Sequence, residues 1–277
     1  MKQERIGVDL DAYCRRIGYA GERVPTRAVL RAVHALHPQA IAFENLSPLL
    51  KEPVLLDAAS LERKMLRGGR GGYCFEQNVL LGYALQALGF DVRWLLARVR
   101  WGVPPGVVLP RTHMMLAVEA EGQSYVADVG FGGNTLTGPL LLSSRDEQAT
   151  PHESCRLMEE GDRFVVQSCI RDVWTDLYAF DLAEQLLPDL ETSNWFTSTH
   201  PRSRFLNELI VSRVEPDRRY ALRNNEIAVH ELGGGTRRKI LPDVAALREA
   251  LTGVFRLTLP RGPDLDAMLA RFAGCGG

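Results

Sequence analysis

Residues 74–88 carry apolar side chains on most faces of a helical period: Phe75, Val79, Leu80, Leu81, Tyr83, Leu85 and Leu88. A helix of that kind has no side to offer water, so the rest of the chain must enclose it at the centre of the fold. Gly72 precedes it, and Gly89 supplies a left-handed stop. The chain can build the enclosure. Its 277 residues are 45% hydrophobic, a length that buries roughly three quarters of the unfolded surface without disulfide staples. That length suits one large domain or two to three small ones.

The segments before this helix are also helical. Leu10, Tyr13, Cys14 and Ile17 form one stripe with Gly18 as its cap. A second helix opens at Thr26, carries Val29, Leu30, Val33 and Leu36, and stops near Pro38. A third, short one spans about Ala58 to Leu66, with Ser60 as an internal start. After Asp91 the period changes to two. Strands are expected from Val92 to Trp101, His113 to Glu119 and Ser124 to Phe131, the last two joined by a turn at Glu121-Gly122. More follow near Ser154–Met158, Arg163–Ser168 and Trp174–Phe180. The last third is mixed: Glu226 to Leu232 and Thr236 to Leu241 flank three glycines as a hairpin, and Pro242-Asp243 starts a helix to about Thr252. Helices first, then antiparallel strands, then a mixed unit is an α+β chain with segregated parts.

Charge and cysteine usage narrow the function classes. Lys and Arg total 33 against 34 Asp and Glu, a net charge of −1. That balance gives no electrostatic footing for nucleic acid or an anionic membrane surface. Met1–Arg5 is followed by no apolar core of a signal peptide. The longest apolar stretch, Val79 to Phe90, is too short to span a bilayer. Cys14, Cys74, Cys155, Cys169 and Cys275 are odd in number and unpaired by spacing, which fits free thiols in a reducing, cytoplasmic setting. No C-x-x-C occurs. His34 and His37 are three apart on a helix but lack a third ligand, so no metal site is expected and surface positions are.

The segment Arg67-Gly68-Gly69-Arg70-Gly71-Gly72-Tyr73-Cys74 carries the chemistry. Glycines permit positive φ and close approach of a substrate. A helix N-terminus favours thiolate over thiol, and its free N–H groups can hold an oxyanion. No Gly-Lys-Ser/Thr follows, so this is not a phosphate loop. Gly130-Phe131-Gly132-Gly133 lacks the dinucleotide spacing. A cysteine nucleophile needs a base, and the base an orienter. With Glu121-Gly122 as a two-residue turn, Ala120 faces Gln123, Met115 faces Asp128 and His113 faces Gly130. His113 and Asp128 are then diagonal neighbours on one face, about 7–8 Å apart along the backbone, within reach of an imidazole–carboxylate bond. A slip of one residue would part them. Asp128 between Ala127 and Val129 is costly unless paired.

These residues resemble a known family. Arg70 to Asn78, Thr112-His113-Met114-Met115-Leu116 and Asp128-Val129-Gly130-Phe131-Gly132 are similar to the three active-site motifs of arylamine N-acetyltransferases. Phe43-Glu44-Asn45-Leu46 and the block Asn194 to Phe205 are similar to two further motifs, all five in order. The resemblance implies a cysteine-peptidase-like core: a helical bundle over 1–90 carrying the nucleophile, an antiparallel β-barrel over 91–190 carrying the histidine and acid, and an α/β lid over 191–277. It implies Cys74 as nucleophile, His113 as base and Asp128 as orienter. Acetyl-CoA would be the co-substrate, with no permanently bound cofactor, and an arylamine, arylhydrazine or N-hydroxyarylamine the acceptor, by a ping-pong route. Phe131, Phe205 and Thr112 would line the acceptor pocket, and Trp101, Thr112 and Gly132 the entrance used by CoA. Glu44 with Arg70 would brace the nucleophile loop. Ala42 stands where many members have proline, and Gln77 where some have leucine. A related amide synthase or cysteine amidohydrolase is the alternative on the same core, and a non-catalytic thiol sensor the rival from another class. The oligomeric state stays open.

Overall fold

A computed structural model describes residues 7–104 and 106–274; Met1–Arg5 and Cys275, read above, lie outside them. The chain runs α1 (Leu10–Ile17), α2 (Arg27–Ala40), β1 (Phe43–Glu44), α3 (Leu46–Leu49), α4 (Ala58–Leu61), α5 (Cys74–Ala87), β2 (Asp91–Val99), β3 (His113–Ala120), β4 (Gln123–Ala127), β5 (Leu140–Leu141), β6 (Cys155–Glu160), β7 (Arg163–Ile170), β8 (Val173–Phe180), α6 (Leu187–Thr199), β9 (Ile210–Glu215), β10 (Arg218–Arg223), β11 (Glu226–Glu231), β12 (Thr236–Ile240), α7 (Val244–Glu249) and α8 (Pro263–Ala270).

The first helices start and stop on side-chain and glycine signals. The Asp9 carboxylate accepts the Ala12 N–H at 3.0 Å, and Gly18 ends α1 at φ 73°. Thr26 caps α2, but this helix runs past Pro38 to Ala40. In the last turn proline removes one N–H only, and the Ile41 N–H still reaches the His37 carbonyl at 2.9 Å. α4 opens on Asp57, which accepts the Ser60 N–H at 2.9 Å, rather than within the helix, and it widens into a π-helical turn over Glu62–Arg67. α5 is enclosed as its composition demands: Phe75, Val79, Leu80, Leu81 and Leu85 are all fully buried.

Seven strands form one antiparallel sheet in the order β5-β4-β3-β2-β8-β7-β6. It curls into a nearly closed barrel. Across the gap between its end strands, Gln148 bonds Leu141 through its side chain and Cys155 through its backbone. Leu95, Ala97, Met115, Ala117, Val126, Leu177 and Tyr178 fill one side of the sheet, while Met114, Leu116, Val118 and Ala127 face α5 and the helices. The expected turn is present, with positive φ at Glu121 (51°) and Gly122 (74°) as a type I′ hairpin requires. The register is the expected one, from Ala120 opposite Gln123 to Leu116 opposite Ala127. There the ladder stops, so β4 ends at Ala127 and not at Phe131. The Asp128 N–H is taken by His34, and the Gly130 N–H by the carboxylate of Asp128.

A second antiparallel sheet has the order β1-β9-β10-β11-β12. Its first strand comes from early in the chain, with Phe43 opposite Ser212 and Glu44 opposite Val211. Leu46 and Leu49 of α3, with Leu247, Leu251, Phe255 and Leu265, pack against this sheet. β9 and β10 have no clean apolar alternation because Arg213 and Arg219 stand inside them. Both arginines are buried on ion pairs, Arg213 to Glu215 at 2.6 Å and Arg219 to Glu153 at 2.5 Å. Among the described residues, no helix is long and apolar enough to cross a membrane.

Candidate active site

Cys74 is the first residue of α5 and is buried beneath the nucleophile loop. The loop is set by close backbone packing. The Glu44 N–H donates to the Gly72 carbonyl at 3.0 Å, and the Gly72 N–H to the Ala42 carbonyl at 3.4 Å. A Cβ on Gly71 would lie 2.0 Å from the Ala42 oxygen, so only glycine fits. Of Gly68, Gly69, Gly71 and Gly72, only Gly69 has positive φ, and none of the four borders the substrate-sized cleft described below. The glycine run therefore permits backbone packing, not the substrate approach expected from sequence. Gln77 ties the same layers together, donating to the carbonyls of Ala42 (2.8 Å) and Gly72 (3.1 Å).

The Glu44–Arg70 pair is present, with Arg70 Nε donating to Glu44 Oε1 at 2.8 Å and the Leu46 N–H to Glu44 Oε2 at 2.6 Å. Burial alone would raise this carboxyl. The charges of Arg70 and Lys64 outweigh it and bring Glu44 down to about 2. Removing the arginine strands a buried carboxylate, so Arg70→Ala is expected to lower the unfolding free energy by about 3–5 kcal/mol. Urea titration of the variant against the parent measures this; an unchanged midpoint would contradict the bracing role.

His113 opens β3, and its Nε2 lies 2.8 Å from Asp128 Oδ2. Asp128 is fully buried, and its Oδ1 accepts from Asn78 Nδ2 and from the Gly130 N–H, each at 2.8 Å. Burial would raise this carboxyl too. The charge and hydrogen bond of His113, with those of Asn78 and Gly130, hold it below the ordinary range. Asp128 is thus ionised and can only accept, so Nε2 carries the proton of that bond and Nδ1 is left as the basic nitrogen. The Cys74 sulfur lies 3.7 Å from the carbonyl of Thr112, the residue before His113. A Cβ on Gly130 would lie 2.9 Å from the Cys74 Cα, so the chain after Asp128 crosses directly over the start of α5.

One expectation is reversed. Burial, and then the charge of Asp128, push the Cys74 thiol up, against the lowering by backbone N–H groups of Phe75, Met114 and Cys74. The helix terminus is outweighed because Cys74 is only 3% exposed and the Asp128 charge acts in the same direction as burial. An isolated thiolate is disfavoured there, and ionisation requires a partner for the proton.

An open cleft of about 1790 Å³ reaches Cys74 and His113 and is bordered by Thr112, Phe131, Gly132, Phe205 and Trp101. Of the residues expected in the site, all but Asp128, which lies buried behind His113, border this one cavity, larger than a single drug-sized ligand needs. The His113 ring is held edge-on by Phe131, with centroids 5.0 Å apart, and by a tilted Tyr178 at 4.7 Å. Phe205 packs on Tyr73 at 5.4 Å and Phe43 at 6.1 Å. Asn45 anchors it, donating to the carbonyls of Phe205 (2.9 Å) and Glu208 (2.7 Å). Trp101 stands half-exposed at the cleft margin. Among the described residues, no three His, Cys, Asp or Glu side chains converge as a metal site.

His34 and His37, expected at the surface, are fully buried instead. His34 Nε2 meets the Asp128 N–H at 3.1 Å, and His37 bridges Tyr13 (2.8 Å) and Gln77 (2.7 Å). Their spacing was visible, but their partners come from chain segments 24 to 94 residues away. Asn78 closes the nucleophile motif but its bonds to Asp128 and Val129 could not be read from it, and Tyr178 carried no local signal. Burial lowers His34 to about 4, Asp128 opposing, and His37 to about 3, Gln77 opposing. The unfolded chain, with histidines near 6.5, takes up protons first. Stability is therefore whole above about pH 6.5 and is lost as pH falls toward those folded values. Between about pH 6.5 and 5 each histidine is expected to remove about 2 kcal/mol. Urea midpoints across that interval, above most carboxylate titration, measure the loss; a flat profile would contradict it.

Comparison with known proteins extends these observations to the whole chain. Residues 26–263 match a protein-family model described as N-acetyltransferase. The arylamine N-acetyltransferase of Mycobacterium tuberculosis is 41% identical, over 97% of this chain and 99% of its own. The arylamine N-acetyltransferase / N-hydroxyarylamine O-acetyltransferase of Salmonella typhimurium is 40% identical, over 90% and 88%. Among solved structures, the Mycobacterium marinum arylamine N-acetyltransferase in complex with CoA superposes with a TM-score of 0.92 at 40% identity. The match covers 96% of this chain and 100% of that one.

Proposed function

Given that the chain belongs to the arylamine N-acetyltransferase family, we propose that it moves an acetyl group from acetyl-CoA to the nitrogen of an arylamine or arylhydrazine, or to the oxygen of an N-hydroxyarylamine, through an acetyl-Cys74 intermediate. The observation that carries this reading is the ionised Asp128 clamped on His113, with Cys74 bordering the same cleft and its sulfur 3.7 Å from the carbonyl of Thr112, the residue before His113. Because burial disfavours a lone thiolate, the proton of Cys74 passes to His113 Nδ1 as the sulfur attacks the thioester carbonyl. The imidazolium so formed is paired with Asp128. The carbon–sulfur bond to CoA breaks, and the departing thiolate takes that proton back. In the second half, the acceptor nitrogen attacks the acetyl carbonyl and gives its proton to His113, while the Cys74 sulfur leaves.

Phe131 and Phe205 suit a flat aromatic acceptor. Thr112 lies between that pocket and the entrance, where Trp101 and Gly132 offer a path for CoA. An arylamine is unprotonated at neutral pH, so it arrives ready to attack. Initial rates measured against both substrates test the route. Parallel double-reciprocal lines are the expected result; intersecting lines would mean that both substrates bind before chemistry and would remove the acetyl-enzyme from the pathway.

A further inference from the structure

Asp128 is the first residue beyond the β3–β4 ladder, so the sheet has no carbonyl for its N–H. A buried N–H must find an acceptor elsewhere, and the one it finds is a side chain of α2. We propose that His34 is a positioning residue for the transfer reaction: its Nε2 accepts the Asp128 N–H at 3.1 Å and holds the acid where its carboxylate meets His113.

The ring can do this in one state only. To accept, Nε2 must be unprotonated, so the proton sits on Nδ1. That nitrogen is buried and has no hydrogen-bond partner among the described residues. The fold therefore leaves one donor unpaired to keep the other nitrogen as an acceptor. The opposite tautomer would point an N–H at an N–H, and an imidazolium would do the same. The ionisable groups that face the ring are Asp128 and His37, and burial keeps His34 neutral between them. The other side of the same turn is held from α5, where Asn78 accepts the Val129 N–H at 3.0 Å and donates to Asp128 Oδ1. The acid is thus clamped by its backbone from α2 and by its carboxylate from α5. His34 touches neither the thioester nor the amine, so its influence travels through the Asp128–His113 bond into proton transfer from Cys74.

The inference rests on the transferase reading only in that His113 and Asp128 serve Cys74. It is tested by alkylation of Cys74 with iodoacetamide in the full-length protein, followed at that residue by peptide mass spectrometry across a pH series. Alkylation needs neither acetyl-CoA nor an amine, so failure here is distinct from failure of the proposed activity. His34→Met and His34→Gln are similar in size and flexibility, and only glutamine offers a strong acceptor. His34→Met is expected to slow alkylation at neutral pH about tenfold and to move its pH profile upward, with His34→Gln within about threefold of the parent. A Met variant as fast as the parent would overturn the proposal. So would equal losses in both variants with an unmoved profile, because that pattern marks a merely structural role. Nitrogen-15 spectra of the unmodified protein test the same point if His34→Met does not fold. A neutral His34 with its proton on Nδ1 at pH 7 is expected; a proton on Nε2 would overturn it.

Discussion

Cys74→Ala is expected to lower acetyl transfer by roughly 10⁴-fold or more while leaving the protein folded. Every other group at the site moves or stabilises a proton or charge; the sulfur alone can hold the acetyl group. Cys74 is small, and alanine at the start of α5 keeps the helix, so the stability cost is small beside the loss of activity. Turnover of acetyl-CoA and an arylamine, with circular dichroism to verify the fold, decides it. A variant that retained more than a few per cent of the rate would show that the amine attacks acetyl-CoA directly.

The second large effect belongs to the acid. Asp128 accepts three hydrogen bonds, from His113 Nε2, Asn78 Nδ2 and the Gly130 N–H. Asparagine offers one oxygen in place of two, so at least one of those donors must face an NH₂ group. If the oxygen turns to Asn78 and Gly130, the amide donates to His113 and drives the proton onto Nδ1, removing the base. If it turns to His113, two buried donors are left unpaired. Asp128→Asn is therefore expected to reduce kcat by roughly 10³–10⁴-fold, the scale on which an orienting acid matters to a histidine base. The change should fall on kcat more than on the KM for the amine, because Asp128 does not border the cleft. Activity within about tenfold of the parent would mean that the ring is oriented by its packing against Phe131 and Tyr178 alone.

Much of this site can be read in the chain because its key contact is local. His113 and Asp128 are 15 residues apart, one on β3 and the other just past the end of β4, and a two-residue turn determines which face they share. The register holds although the ladder ends at Leu116 opposite Ala127, three pairs short of His113 opposite Gly130, since His113 keeps the parity of Met115 and Asp128 that of Val126. The apolar surface of α5 likewise announces a central helix. What escapes is whatever depends on distant segments meeting. β1 is two residues long and is held by β9, some 170 residues later, and by a bridge to Gly72. Arg219 disguises β10, since its partner Glu153 lies 66 residues earlier, and Arg213 disguises β9, since its burial needs the distant carbonyl of Val254 as well as Glu215 two residues on. His34 and His37 read as solvent-facing for the same reason: burial of a histidine is tolerable only with partners, and theirs lie far along the chain. The thiol of Cys74 shows the limit of arguing from one local effect. A helix terminus lowers it, but enclosure raises it more.

In the proposed route an acetyl group rests covalently on one sulfur. The protein is incubated with acetyl-CoA and no amine, quenched in acid, digested and weighed. One acetyl group is expected, on the peptide that contains Cys74, and it should disappear when an arylamine is added before quenching. An unmodified Cys74 under conditions where the complete mixture turns over, or an acetyl group carried only by another residue, would contradict it.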